Sequence, residues 1–179
     1  EVLKYAKNDP TTGTNIVKRK FSFFGDPNMK LSFPKYNIET TVVELLDSLG
    51  NIIQSNADTI SALSHVQLHG QVLNENDFLV DDFSGSLFVT VFDKEFSLFT
   101  LNNDGFLDEP FEYILQENAI YSGSVDVVNG IFSLQFIVPQ DISYYYGNGK
   151  ISYYANDLAL GDASGYDESI LVGGISDYA

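Results

Sequence analysis

In "SVDVVNGIFSLQFIV", residues 124–138, Phe132, Leu134, Phe136 and Val138 recur at every second position directly after Asn129-Gly130. A period of two places four large apolar side chains on one face of a strand, whereas a helix would spread them around its axis. Asn-Gly accepts positive φ at both central positions, so the dipeptide predicts a tight hairpin turn between "SVDVV" and "IFSLQFIV". A segment of this kind needs a second apolar surface to cover it, and that requirement restricts the chain to a layered β architecture.

The same alternation runs from residue 36 onward. "YNIETTVVELL", "HVQLHGQVL", "GSLFVTVFD", "EFSLFTL", "PFEYILQ", "AIYSGSVDVV", "GKISYYA" and "ESILVGG" follow one another at short intervals, separated by Gly, Asn and Asp. The pattern predicts an all-β, immunoglobulin-like antiparallel β-sandwich of about seven to nine strands. Its core is expected at Val66, Leu68, Val72, Leu87, Val89, Val91, Phe132, Leu134, Phe136 and Val138. The chain has no cysteine and no tryptophan, so the likeness to immunoglobulins is one of architecture alone. "NADTISALS", residues 56–64, is the one short helical candidate within this region.

Charge divides the chain. Seven of its nine Lys and Arg lie in residues 1–35 beside Glu1, Asp9 and Asp26, a net +4; residues 36–179 carry Lys94 and Lys150 against 22 carboxylates, a net −20. With Pro34 at the change, the sequence predicts a tail over residues 1–34 and a sandwich over 35–179. The tail combines a helix-like "EVLKYAKN" with two apolar half-strands in "KFSFFGDPNMKLSFPKY", broken at Gly25-Asp26-Pro27. It reads as the end of an upstream domain, and the chain as a piece of a longer one. Phe21, Phe23, Leu31 and Phe33 are expected to fold back on the sandwich or to dock on a second copy. A −20 region repels polyphosphate, which argues against nucleic acid as a partner. No apolar run approaches the roughly 18 residues of a membrane-spanning helix.

Candidate chemistry is sparse. Without cysteine there is no thiol nucleophile and no thiolate metal site, and no serine sits in a Gly-x-Ser-x-Gly turn. His65 and His69 share one strand face at ~13 Å, too far apart to ligate one metal directly. "LNNDGFLDE" (101–109) and "DLALGDASGYDE" (157–168) gather oxygen ligands beside glycines, which makes Asp104 and Asp162 the candidate calcium ligands. The chain has no cofactor motif otherwise. "YYYGNGKISYY" (144–154) holds five of the eleven tyrosines, a composition that serves strands and sheet corners as well as sugar-stacking platforms.

The tail "RKFSFFGDPNMKLSFPKY", with Gly25, Asp26, Pro27, Leu31 and Phe33-Pro34, resembles the sequence that closes the catalytic domain of gingipain-type (family C25) cysteine peptidases. Its likeness is greatest to the cell-surface sortases of the type IX secretion system in Bacteroidetes. "DTISALSHVQLHGQV", "FSGSLFVTVFDK", "SVDVVNGIFSLQFIVPQDISYYYGNGKISYYA" and "ESILVGG" extend the resemblance over nearly the whole chain. It implies an exported sandwich domain directly after a peptidase domain, at the outer-membrane surface, in a protein that removes C-terminal sorting signals and helps attach cargo to lipopolysaccharide. The implied partners are the upstream peptidase domain, other outer-membrane secretion components and secreted cargo. The catalytic His and Cys are implied to lie upstream, so no catalytic residue is carried over here. The residues by themselves also suit an acidic extracellular adhesin or glycan-binding module, or a structural spacer.

Overall fold

The alternating segments resolve into strands in the computed structural model, which describes residues 33–103, 105 and 109–176. The chain divides between Phe33 and Pro34, and the unit considered below is Pro34–Ala179. The expectations for residues 1–32 lie outside the described residues. The strands are β1 (Tyr36–Leu46), β2 (Ile52–Ser55), β3 (Thr59–Ala62), β4 (His65–Leu73), β5 (Gly85–Phe92), β6 (Phe96–Phe99) and β7 (Glu112–Leu115). They continue with β8 (Ala119–Val127), β9 (Ile131–Ile137), β10 (Gly147–Asn148), β11 (Lys150–Asp157), β12 (Gly161–Asp167) and β13 (Leu171–Ile175). No helix occurs among the described residues.

Eight strands form one sheet in the order β8-β5-β11-β12-β1-β4-β9, with β2 beside β1. Its middle is narrow: β1 and β12 run parallel and pair only at Tyr36–Ala163 and Asn37–Ser164. On either side the ladders are long and antiparallel. The sheet folds over at this junction and brings its two halves face to face. Phe132 of β9 meets Tyr153 of β11 at 5.7 Å between ring centroids, and Tyr121 of β8 stacks on Phe136 of β9 at 4.6 Å. The result is a β-sandwich.

All ten expected core positions are buried, within one continuous apolar cluster that also takes in Phe83, Ile151 and Ala155. Burying side chains of this size is worth about 1.5–3 kcal/mol each before chain entropy is counted. Gly70 stands opposite Phe132 in the β4–β9 ladder. A Cβ there would strike the Phe132 ring and approach the Glu39 carbonyl oxygen to 2.6 Å, so the missing side chain makes room for the ring.

Three expectations need correction. Among the described residues thirteen strands replace the seven to nine, because β2 is exposed along its whole length and β12, "GDASGYD", has small polar residues and no apolar alternation. The pairing is not wholly antiparallel: besides β1–β12, β13 runs parallel to β3 in a small sheet of order β10-β13-β3. Residues 56–64 are not helical. Ile60 and Ala62 are buried at a spacing of two on β3, and Leu63 then turns the chain at φ 65°. Four residues are too few for periodicity to decide, and the neighbouring β13 supplies the backbone partners.

The Asn129-Gly130 turn forms as its chemistry requires, with φ of 53° and 75° and reciprocal bonds of 3.0 and 3.1 Å between Val128 and Ile131. Beyond that bridge the hairpin does not continue. β8 pairs with β5 and β9 with β4, so the turn joins the two layers of the sandwich. It is seated by Gly130, whose N–H donates to Phe83 O and whose carbonyl accepts from Val72 N–H, both at 2.8 Å.

Candidate functional site

Asp104 lies outside the described residues, in the connection between β6 and β7. Asp162 is the second residue of β12, and its Oδ1 accepts from Asn156 Nδ2 at 2.6 Å. Nearby Asp157 is buried, and its carboxylate accepts three backbone bonds: Ser84 N–H at 2.7 Å, Ala159 N–H at 2.7 Å and Leu160 N–H at 3.0 Å. Those bonds, Ser84 first, hold the carboxyl below its usual range. Asp157 therefore closes the β11–β12 turn and ties it to the start of β5. Among the described residues, no three acidic or histidine side chains converge in a way that would hold a metal ion.

Where β1 and β12 diverge, a polar chain crosses the gap. The Tyr153 hydroxyl and Thr40 Oγ1 are 2.7 Å apart, and the Ser169 N–H and hydroxyl donate to Asp167 Oδ1 at 2.8 and 2.6 Å. Burial pushes the Asp167 carboxyl up, but the bonds from Ser169 and Thr40 outweigh it and the group titrates below its usual range. Burial drives the Tyr153 phenol well above its usual range. Thr40, Asp167 and Ser169 also line an open hollow of about 290 Å³ with Asn56 and Asp58. The Ser169 hydroxyl is held there by the Asp167 carboxylate, and no histidine is among the lining residues.

The histidines lie on the outer face of β4. His69 Nε2 approaches Glu44 Oε2 at 3.4 Å, and Glu44 Oε1 accepts from the Ser55 hydroxyl at 3.0 Å. With the Gln67–Gln135 bond at 3.0 Å, they make up the polar side of an alternating strand pair. The tyrosines of residues 144–154 disperse. Tyr153 is buried, Tyr154 stacks outside on Phe88 at 6.4 Å, and Tyr144, Tyr145 and Tyr146 are exposed before β10. They do not share one surface.

The feature that sequence reasoning misplaced is the β6–β7 pair. Both segments alternate like sandwich strands, yet they form a separate two-stranded arm. The register puts Phe96, Leu98, Tyr113 and Leu115 on one side, and Ser97, Phe99, Glu112 and Ile114 on the other. Three of the first group are half-buried, while Phe99 and Ile114 are each 62% exposed. At the base of the arm, Gln116 Nε2 donates to Asp93 O at 2.9 Å and Asn148 O at 3.2 Å. Charge offered no signal of this separation, and the alternation of "EFSLFTL" made it read as one more strand of the sandwich.

No helix among the described residues is long and apolar enough to cross a membrane. No protein-family model matches the chain, and no curated protein does. Among solved structures, Spo0M, a sporulation control protein from Bacillus subtilis, shares 13% identity over 79% of this chain and 51% of its own, at a TM-score of 0.43. The C-terminal domain of wzt shares 9% over 81% and 77%, at 0.42. Both superpose too loosely to bear on function. Dimeric latent PorU from Porphyromonas gingivalis is similar at 30% identity over 87% of this chain, with a TM-score of 0.62. The chain spans 14% of the PorU chain, and its sandwich is similar to one domain-sized stretch of that protein.

Proposed function

We propose that the sandwich is a non-catalytic domain of a PorU-like sortase of the type IX secretion system, standing directly after the peptidase domain. The observation that carries this reading is the 30% identity with PorU over 87% of the chain. The absence of cysteine agrees with it, since a C25 peptidase needs a thiol that this segment cannot supply. In this reading the parent protein is exported to the cell surface at the outer membrane, where it removes C-terminal sorting signals from secreted cargo. The domain's partners are then the peptidase domain of its own chain, other outer-membrane secretion components and cargo.

The test is made in the parent. Deleting the segment that encodes residues 35–179 should leave cargo unprocessed or detached from the surface. Replacing the upstream nucleophilic cysteine in an otherwise intact chain should abolish processing. Normal processing and attachment in the deletion strain, or a parent with no upstream His and Cys pair, would remove the proposal. The fragment alone should hydrolyse no peptide substrate.

A further inference from the structure

We infer that the β6–β7 arm is a docking surface for a basic, amphipathic segment of another protein, with apolar side chains seated over Phe99 and Ile114. Three observations converge. The arm pairs only with itself among the described residues, and an isolated two-stranded ribbon is marginal in water without a covering layer. One of its faces is half-buried, whereas the other holds out Phe99 and Ile114, with Leu101 just past β6 at 85% exposure. Charge selects the partner. Glu95, Glu109, Glu112 and Glu117 are exposed on and beside the arm, and no cation stands in ion-pair range of them among the described residues. The nearby Lys94 is taken up by Asp93 at 2.6 Å and by the Ser143 carbonyl at 2.9 Å.

An apolar centre with an acidic rim is complementary to an apolar stripe flanked by Lys or Arg. The same rim repels a second arm, since both would bring carboxylates, and it repels anionic lipid and nucleic acid. A second arm is thereby disfavoured, and the proposed occupant is a segment of another protein, an inference that stands apart from the likeness to PorU.

The probe is a dye-labelled peptide of leucine and lysine, with the leucines on one helical face. Its controls replace lysine by glutamate, or leucine by serine. Binding to the full chain is followed by fluorescence anisotropy across a salt series. The leucine–lysine peptide should bind, weaken as salt rises, and outcompete both controls. The double variant Phe99→Ser/Ile114→Ser should weaken it by at least about tenfold, since central apolar anchors dominate such contacts. The triple variant Glu109→Gln/Glu112→Gln/Glu117→Gln should flatten the salt dependence, and it decides the matter if the serine variant fails to fold. Absence of binding, or binding unchanged in both variants, would overturn the inference. So would self-association in sedimentation velocity that the serine variant abolishes, because the occupant would then be a second copy. Probe binding that appears only in the variant Lys18→Gln/Arg19→Gln/Lys20→Gln would make the chain's own basic segment the occupant and overturn it as well.

Discussion

The sandwich and the arm are built from the same kind of sequence and end in opposite surroundings. Phe132, Leu134 and Phe136 on β9 alternate and are buried; Phe99 on β6 and Ile114 on β7 also belong to alternating segments and face solvent. The difference is partners. β9 lies on a nine-residue strand, β4, and its inner face meets Tyr121 and Tyr153 from the opposite layer. β6 has four residues and one neighbour of equal length, and nothing described covers its second face. Alternation states that one side of a strand is apolar, and topology decides whether that side finds a cover.

Substitutions can break or sharpen this contrast. The largest expected effect is in the sandwich: Phe136→Ala, which empties space against Tyr121, should cost about 3–5 kcal/mol in urea denaturation. A loss below about 1 kcal/mol would mean that the layers do not pack as described. Next comes the turn joining them. Gly130 has φ 75°, and an added Cβ would also collide with the Val80 carbonyl oxygen. Gly130→Ala should therefore destabilise by more than about 1 kcal/mol, read in the same denaturation experiment.

Tyr153→Phe removes the bond to Thr40 and should cost about 0.5–1.5 kcal/mol at neutral pH. The folded phenol titrates above the ordinary value of 10.0. Stability from its protonated form is thus present below pH 10.0 and lost as pH rises beyond it, a loss that the Phe variant should lack. Asp157 has the opposite sign. Its folded pKa lies below 3.8, so its contribution is present above pH 3.8 and is lost as pH falls through the folded value. The melting-temperature gap between the natural chain and Asp157→Asn should be open at pH 7 and close in acid. The smallest effect belongs to the arm: Ile114→Ala should change stability by less than about 0.5 kcal/mol. A loss comparable to that of Phe136→Ala would erase the distinction between the two regions.

The fold class and the face assignment were legible in the residues. All ten alternating positions expected inside are inside, because one-residue slips in register would turn each set to water. The outer face of β4, with His65, Gln67, His69 and Gln71, was equally readable as the polar side of that strand. The candidate site was less legible. Asp162 was singled out for its acidic, glycine-containing neighbourhood, which cannot show whether a carboxylate is already engaged. In the structure it accepts from Asn156, and Asp157 beside it closes a turn. Phe99 and Ile114 carried no sign that distinguishes an exposed strand from a buried one.

Local chemistry by itself determined the turn at Asn129-Gly130, the period-two faces and the identity of the core, since each depends on residues close in the chain. Which strands pair was decided only in three dimensions. The turn that most resembles a hairpin joins two layers, with β8 on β5 and β9 on β4. Residues 59–62 became a strand because β13 lay parallel beside them. Backbone hydrogen bonds carry almost no sequence information, so any alternating strand can pair with many others. The choice falls to the arrangement that covers the most apolar surface, and that is a property of the whole sandwich.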